Sequence, residues 1–290
     1  MIGIVLALLS AMAFGFSQIL VRRKLDESNF VRISLAITIM GNILLWPLAL
    51  ILTNTETVNF DGVMFFVFAG LLAPGIVRLI YFKGMEVVGV SANASVFATY
   101  PMYSSFLAVL ILGEVLVAEN WIGIICIIVG IVYLERNVSN TQTRSKKISR
   151  KDFVFPLFAS VTFSVSQIVR KQGLIICNEP LLGVAIGYSS ALLLYILLLV
   201  FSNSAGGSKK FSGEDLRLFW KPGAGIALAW LLSFLALSQE NVSIVAPLLQ
   251  TELLFILFFS CVFLRKLENI SYKLIISALL IVAGVVLVSI

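Results

Sequence analysis

Long apolar runs separated by short polar loops dominate the pattern along this chain. A helix needs about 20 apolar residues to cross a bilayer, and the runs recur at roughly that length. They are continuous rather than alternating, which favours helices over the strands of a membrane β-barrel. The pattern predicts an all-α integral membrane protein with ten transmembrane helices, at residues 2–21, 31–52, 63–82, 91–112, 117–134, 153–169, 181–201, 222–237, 242–264 and 272–290.

The composition fits a chain whose main solvent is lipid. Hydrophobic residues make up 60% of the chain and charged residues 12%, with a mean hydropathy of +1.04. The polar, basic stretch 137–151 divides the chain nearly in half. We therefore predict a first five-helix repeat at 1–136, a linker at 137–151 and a second five-helix repeat at 152–290.

Residues recur between the two halves at offsets that rise from 149 through 152 to 154. Five spans per half is an odd number, so the second repeat enters the membrane inverted relative to the first. Inverted repeats typically place a substrate site near the midplane and support alternating access; the alternative is that apolar sequences align by chance. The aligned pairs are Phe14 with Phe163, Ser17 with Ser166, Gln18 with Gln167, Ile19 with Ile168, Leu25 with Leu174, Val90 with Val242, Ser91 with Ser243, Ala94 with Ala246, Thr99 with Thr251, Glu114 with Glu268 and Gly130 with Gly284.

The Lys and Arg residues predict the orientation in the membrane. Nineteen of the 21 fall on the side of the loops after spans one, three, five, seven and nine, and only Arg170 and Lys171 fall on the other. Basic loops stay in the cytoplasm, so both termini are predicted to be extracytoplasmic. The net charge of +6 is then a topology signal rather than a nucleic-acid footprint.

Glu252 is the sharpest candidate for function because it lies near the middle of the ninth span. An ionisable residue inside the bilayer is costly and is a functional candidate by default. It aligns with Tyr100 of the fourth span and is suited to bind a proton or a cationic substrate. The alternative is a carboxyl group satisfied by a neighbouring helix or by a water-filled vestibule.

Arg78 is the second candidate, and it follows Pro74 and Gly75 in the third span. Proline there is expected to kink the helix and free backbone carbonyls. The guanidinium of an arginine can form two hydrogen bonds to one carboxylate or phosphate. Arg78 could also pair with Glu252. Snorkelling to the headgroups is the alternative reading.

Polar and aromatic residues at midspan complete the predicted substrate-binding or coupling set. Gln18 and Gln167 occupy equivalent positions in the two halves and are predicted to contact substrate, with helix-to-helix hydrogen bonding as the alternative. Tyr100, Tyr81 and Trp230 are predicted to line the site, although packing would also explain each ring. Glycines such as Gly70 and Gly187 are expected to allow close helix approach.

No enzyme chemistry, cofactor or metal site can be assembled from this sequence. The chain has no His, which removes the usual zinc ligands and the Ser-His and Cys-His nucleophile pairs. Its three Cys residues are scattered and have no metal-binding spacing.

The residues that open and close the fourth span resemble those of EamA-type members of the drug/metabolite transporter superfamily. They are Gly89-Val90-Ser91-Ala92, Pro101, Leu112-Gly113-Glu114 and, in the fifth span, Gly130. The resemblance implies secondary transport of a small metabolite, amino acid, nucleotide sugar or drug-like compound, often as efflux. Characterised relatives commonly have cytoplasmic termini, whereas the loop charges here predict the reverse.

Together these features predict a multi-pass transporter of the cell membrane. We expect it to work by alternating access and to export or exchange a small polar or amphipathic molecule with proton coupling. Its partners are that substrate and the lipid bilayer, with no nucleic acid. A homodimer is compatible with the fold, but no sequence feature requires one. A flippase for a lipid-linked carrier and a non-transport membrane scaffold are the alternatives.

Overall fold

The computed structural model describes residues 1–22, 30–54, 56, 58–88, 93, 96–138, 150–204, 211–263 and 272–289. Within these residues the secondary structure is helical, without any β-strand. Six helices are long and apolar enough to cross a membrane, and shorter apolar helices lie in the other four predicted spans. The helical membrane class is confirmed, while the count of ten spans stays a prediction.

The described helices follow the predicted runs along the chain. A π-helical segment, Leu71–Ile76, joins the third helix to the fourth; another, Ala108–Leu112, continues the fifth; and a 3₁₀ turn, Arg150–Phe153, opens the second half. The helices are α1 (Ile2–Arg22), α2 (Phe30–Leu52), α3 (Phe60–Gly70), α4 (Val77–Val88), α5 (Tyr100–Leu107), α6 (Ala118–Val138), α7 (Val154–Ile176), α8 (Pro180–Ser204), α9 (Gly213–Gln239), α10 (Val242–Gln250), α11 (Glu252–Phe263) and α12 (Tyr272–Ser289).

Helices from the two halves of the chain pack against each other. Helix α1 packs on α9, α10 and α11, and α2 packs on α8 and α9. Helices α3 and α4 contact α7, and α6 packs along α12. The largest apolar core is therefore built from both halves, so a group buried in this core can be contacted from either half.

The fourth and ninth spans are each interrupted at a threonine. Thr99 (φ −80°, ψ −6°) precedes α5, and Thr251 (φ −63°, ψ −5°) separates α10 from α11. Each hydroxyl donates a 2.6 Å hydrogen bond to a carbonyl three residues back, that of Val96 or Leu248. The two threonines that the internal comparison aligns therefore have the same local conformation and the same hydrogen bond.

The third span is interrupted where Pro74 and Gly75 predict a kink. Ala73 has extended backbone angles (φ −143°, ψ 125°) inside the π-helical segment. The Tyr195 hydroxyl of α8 donates to the carbonyls of Pro74, at 2.6 Å, and Gly75, at 3.1 Å. The predicted release of backbone carbonyls is confirmed, and a buried side chain from the other half binds two of them.

The sixth span is longer than its apolar run predicts. The hydropathy pattern ends this span at residue 169, but α7 continues to Ile176. The placement of Arg170 and Lys171 in a loop was therefore wrong, because both lie inside the helix. Helix α9 likewise begins at Gly213, nine residues before the predicted position. In both helices the hydropathy pattern ended the span at charged residues that the helix includes.

Close approach of α3 and α8 depends on one glycine of a facing pair. A methyl group on Gly70 would overlap the backbone of Gly187, whereas one on Gly187 would lie 3.6 Å from the nearest atom, the Gly70 Cα. We expect Gly70→Ala to lower the free energy of unfolding by about 2–3 kcal/mol through overpacking. The matched change Gly187→Ala should cost less than about 0.5 kcal/mol. Equal losses in detergent denaturation curves would contradict this asymmetry.

Candidate functional site

A buried arginine stands at the centre of the candidate site. Arg170 of α7 exposes 1% of its surface. Its guanidinium donates from Nη1 to Gln167 Oε1 at 3.2 Å, and from Nη2 to Ser166 Oγ at 3.0 Å and to the Ala73 carbonyl at 3.4 Å. Within the described residues no carboxylate pairs with it. Since desolvating a charge costs several kcal/mol, an arginine held by neutral acceptors alone is exceptional.

Aromatic faces surround the rest of the guanidinium. The Arg170 Cζ lies 4.2 Å from the ring centroid of Trp230, 5.4 Å from that of Phe163 and 5.5 Å from that of Phe234. Attraction between a desolvated cation and an aromatic ring is worth about 0.5–2 kcal/mol. These rings partly offset the cost of burial, but they do not neutralise the charge, and no carboxylate in the described part of the chain does so.

Two polar groups at this position have no hydrogen-bond partner among the described residues. They are the Nε of Arg170 and the side-chain nitrogen of Gln167, both inaccessible to solvent. Both are donors. Because Gln167 and Arg170 contact each other, the two free donors belong to one small cluster, and the described residues supply no acceptor for either of them.

A connected set of rings extends from this cluster to the fourth span. Phe163 contacts Tyr100 at 4.7 Å and Phe97 at 5.6 Å between ring centroids, and Phe97 contacts Tyr81 at 4.9 Å. With Trp230, which lies 6.4 Å from Phe163, the three predicted aromatic lining residues fall into one cluster.

Trp230 also touches the opening helix of each half. Phe14 of α1 and Phe163 of α7 pack edge-on against it, with centroid distances of 6.0 and 6.4 Å. The internal comparison aligns these two phenylalanines at an offset of 149. Trp230 therefore contacts two phenylalanines that the internal comparison aligns.

Glu252 is the first residue of α11, directly after the break at Thr251. It is half-buried, and its backbone packs against Gly15 of α1. The Tyr100 hydroxyl donates to the Ala246 carbonyl at 3.0 Å. Glu252 and Arg170 both lie within electrostatic range of Tyr100. The Tyr100 ring also packs against Phe163, which itself contacts the Arg170 guanidinium.

Arg78 is half-buried and contacts the neighbouring helices α2 and α8. Its Nη1 donates to Thr38 Oγ1 of α2 at 3.4 Å, and its charge lies close to the hydroxyls of Tyr188 and Tyr195 on α8. The predicted pairing with Glu252 is not among the salt bridges of the described residues. Tyr188 also contacts Trp230 at 6.3 Å, which connects Arg78 to the aromatic cluster.

The two glutamines that the sequence predicts to be equivalent lie in different environments. Gln167 is fully buried and contacts Arg170, whereas Gln18 is exposed on the surface of α1. The structure therefore brings Gln167, Tyr100, Tyr81 and Trp230 together, and leaves Gln18 outside this cluster.

Sequence reasoning missed Arg170, although two signals pointed to it. Gln167 and Arg170 are three residues apart, a spacing that places both on one face of a helix. At the offset of 149, Arg170 aligns with Val21, an apolar residue of the first span that is buried in the structure. A basic residue at a position that is apolar in the other repeat is a candidate for function.

Hydrogen bonds to Glu114 connect the loop after the fourth span to the start of α10. Its carboxylate accepts hydrogen bonds from the backbone N–H groups of Val242, at 2.8 Å, and Ser243, at 3.0 Å, and a third from the Ser243 hydroxyl. Gly113 (φ 68°) makes the turn that brings Glu114 there. A carboxylate at a helix N-terminus satisfies donors that the helix leaves free.

Lys171 binds the C-terminal end of α9, on the same side of the bundle. Its Nζ donates to the carbonyls of Leu237, at 2.8 Å, and Glu240, at 2.9 Å, at the end of α9. A cation is favourable at a helix C-terminus. Lys171 therefore binds a helix end, unlike its neighbour Arg170.

The fold and this site define a helical membrane protein with a buried polar and aromatic centre. Residues 1–135 match the model of the EamA-like transporter family. The first half of the chain is therefore an EamA-type domain of the drug/metabolite transporter superfamily, which confirms the resemblance seen in the sequence.

One solved structure is similar over nearly the whole chain. Described only as "Crystal structure of protein", it covers 98% of this chain and 95% of its own, with a TM-score of 0.78 and 13% identity. At that identity the likeness shows the fold alone. A comparison with curated proteins gave no match.

Proposed function

We propose that this protein is a secondary active transporter that moves a small organic molecule across the cell membrane by alternating access. The observation that carries the proposal is the pair of breaks at Thr99 and Thr251, beside the buried polar cluster. Transporters typically bind substrate where interrupted helices meet near the midplane. The family of the first half is one of transporters, which supports the same function.

Residues from both halves converge on the proposed substrate site. Arg78 and Tyr100 come from the first half, and Gln167 and Trp230 from the second. Rocking of one repeat against the other around this cluster would expose it to alternate sides of the membrane. Tyr81 extends the site through its ring contact, and the exposed Gln18 remains a second, peripheral contact.

Glu252 supplies the proposed proton coupling. It begins a half-helix whose N-terminal end favours a carboxylate, yet it is half-buried where α11 packs against Gly15 of α1. Among the described residues no basic side chain forms a salt bridge with it. A group in this position can exchange a proton when the substrate arrives or leaves.

Both termini are extracytoplasmic in this proposal. Arg78 and Arg170 contact groups within the helix bundle, and leaving them out takes one basic residue from each side of the count. The remaining residues keep the strong bias that the positive-inside rule requires. Protease digestion of tags at both termini in intact cells would test this orientation, and cleavage only after lysis would overturn it.

Flux into proteoliposomes tests the transport function directly. The purified protein would be reconstituted and supplied with a panel of radiolabelled amino acids, organic acids and nucleosides. We expect saturable entry of at least one compound above the level in protein-free liposomes. If no member of the panel enters faster than that control, the transporter proposal fails.

A further inference from the structure

The environment of the buried Arg170 indicates the chemical class of the substrate. Ionisable residues in membrane helices typically pair with one another or with backbone carbonyls, and often mark a substrate pathway. Among the described basic residues, Arg32 pairs with Asp215 at 2.6 Å and Lys171 binds two carbonyls at a helix end. Arg170 contacts neutral acceptors and aromatic rings, none of the carboxylates among the described residues pairs with it, and unlike Lys171 it keeps a buried N–H group without an acceptor there.

We infer that Arg170 and Gln167 bind the carboxylate of an amphipathic organic monoanion whose apolar part contacts Trp230, Phe163 and Phe234. The inference rests on the proposed function, because the anion is the transported substrate. Both unpartnered groups of the cluster are N–H donors, which select an acceptor ligand rather than a donor. An ammonium substrate would bring a second positive charge beside a buried guanidinium.

The charge and the walls of the site narrow the class of anion. At this subsite Arg170 is the fully buried cation, while Arg78 is only half-buried. One negative charge neutralises Arg170, so a carboxylate suits it better than a phosphate dianion. Arginine binds planar carboxylates through more than one N–H group. The surrounding rings provide an apolar wall, which favours an anion that carries a hydrocarbon or aromatic portion.

Three probes that share a phenyl ring separate charge from apolar contact. They are phenylacetate, its neutral amide phenylacetamide, and the cation phenethylammonium. Binding to the purified protein in detergent would be followed by the melting temperature and by tryptophan fluorescence, to which Trp230 contributes as one of four tryptophans. We expect saturable phenylacetate binding at least about tenfold tighter than binding of the amide, as loss of a charge-assisted hydrogen bond predicts.

Two substitutions locate the effect at Arg170. Arg170→Gln should reduce phenylacetate binding to the level of the amide. Gln167→Glu places a carboxylate three residues from Arg170 on the same helix, and should raise the melting temperature while abolishing phenylacetate binding. The matched control Lys171→Gln removes the adjacent charge and should keep the preference for the anion. Gln167→Glu supplies the test if Arg170→Gln does not fold.

The outcomes distinguish this inference from the transport proposal. Equal binding of phenylacetate and phenylacetamide, absence of phenylacetate binding, or its persistence in either variant would overturn the anion subsite. Flux of neutral or cationic compounds into proteoliposomes would leave the transport function standing in each of these cases. Anion binding without flux of any panel compound would support the subsite and overturn transport.

Discussion

Glu252→Gln is expected to abolish accumulation against a gradient while sparing exchange of substrate across the membrane. Gln keeps the size and polarity of the side chain but cannot gain or lose a proton. A difference of about two pH units stores about 2.7 kcal/mol per proton, enough to concentrate a substrate about a hundredfold. Without a proton-binding group at the break in the ninth span, that driving force cannot reach the substrate.

Proteoliposomes loaded with a pH-sensitive dye provide the measurement. Adding a compound that the wild-type protein carries should trigger proton movement, and Glu252→Gln should remove that signal while retaining exchange of labelled for unlabelled compound. Glu119 is an exposed glutamate at the start of α6, so Glu119→Gln is the matched control and should behave as wild type. A proton signal unchanged in Glu252→Gln would assign coupling to another group.

The breaks in the fourth and ninth spans show that the sequence predicted the architecture only in part. Thr99 and Thr251 align by their neighbours, and the structure gives both the same turn. Hydropathy alone treated each span as one continuous helix, because a single turn closed by a threonine hydroxyl leaves the apolar pattern unchanged. The internal comparison aligned the two threonines, but the hydropathy pattern gave no sign of the break.

The candidate site was only partly predictable, because burial depends on tertiary contacts. Gln18 and Gln167 have the same position in their helices, yet one is exposed and the other contacts Arg170. Arg170 itself was placed in a loop because hydropathy scales penalise charge, whereas aromatic faces and neutral acceptors stabilise it inside the bundle. Of those groups, Gln167, Ser166 and Phe163 belong to α7 itself, whereas Ala73 in the π-helical segment and the rings of Trp230 and Phe234 on α9 are far away in the sequence.

The third span, which contains Arg78, is the opposite case, because its interruption could be predicted from the local sequence. Pro74 and Gly75 predicted the interruption of the third span and the free carbonyls. Sequence reasoning could not name Tyr195 as the donor that binds them, because a hydroxyl 120 residues away has no local signature. The role of Arg78 in substrate binding remains a prediction.

Glu114→Ala is expected to lower the free energy of unfolding by about 4 kcal/mol. The substitution leaves two buried backbone N–H groups at the start of α10 without an acceptor, and each unsatisfied donor costs about 1–3 kcal/mol. It also removes a negative charge that the helix N-terminus stabilises. Denaturation curves in mixed detergent micelles would give the difference, and a loss under about 1 kcal/mol would contradict this role.

Two further substitutions test whether the loss of stability comes from the Glu114 carboxylate itself. Ser243→Ala removes one of the three hydrogen bonds to Glu114 and should cost about 1 kcal/mol, whereas the exposed Glu119→Ala should change stability by less than about 0.5 kcal/mol. Because Glu114 joins the end of the fourth span to the start of the ninth, its loss should also loosen this face of the bundle. Faster exchange of the Val242 and Ser243 amide hydrogens in Glu114→Ala would identify that loosening, since local opening controls their protection.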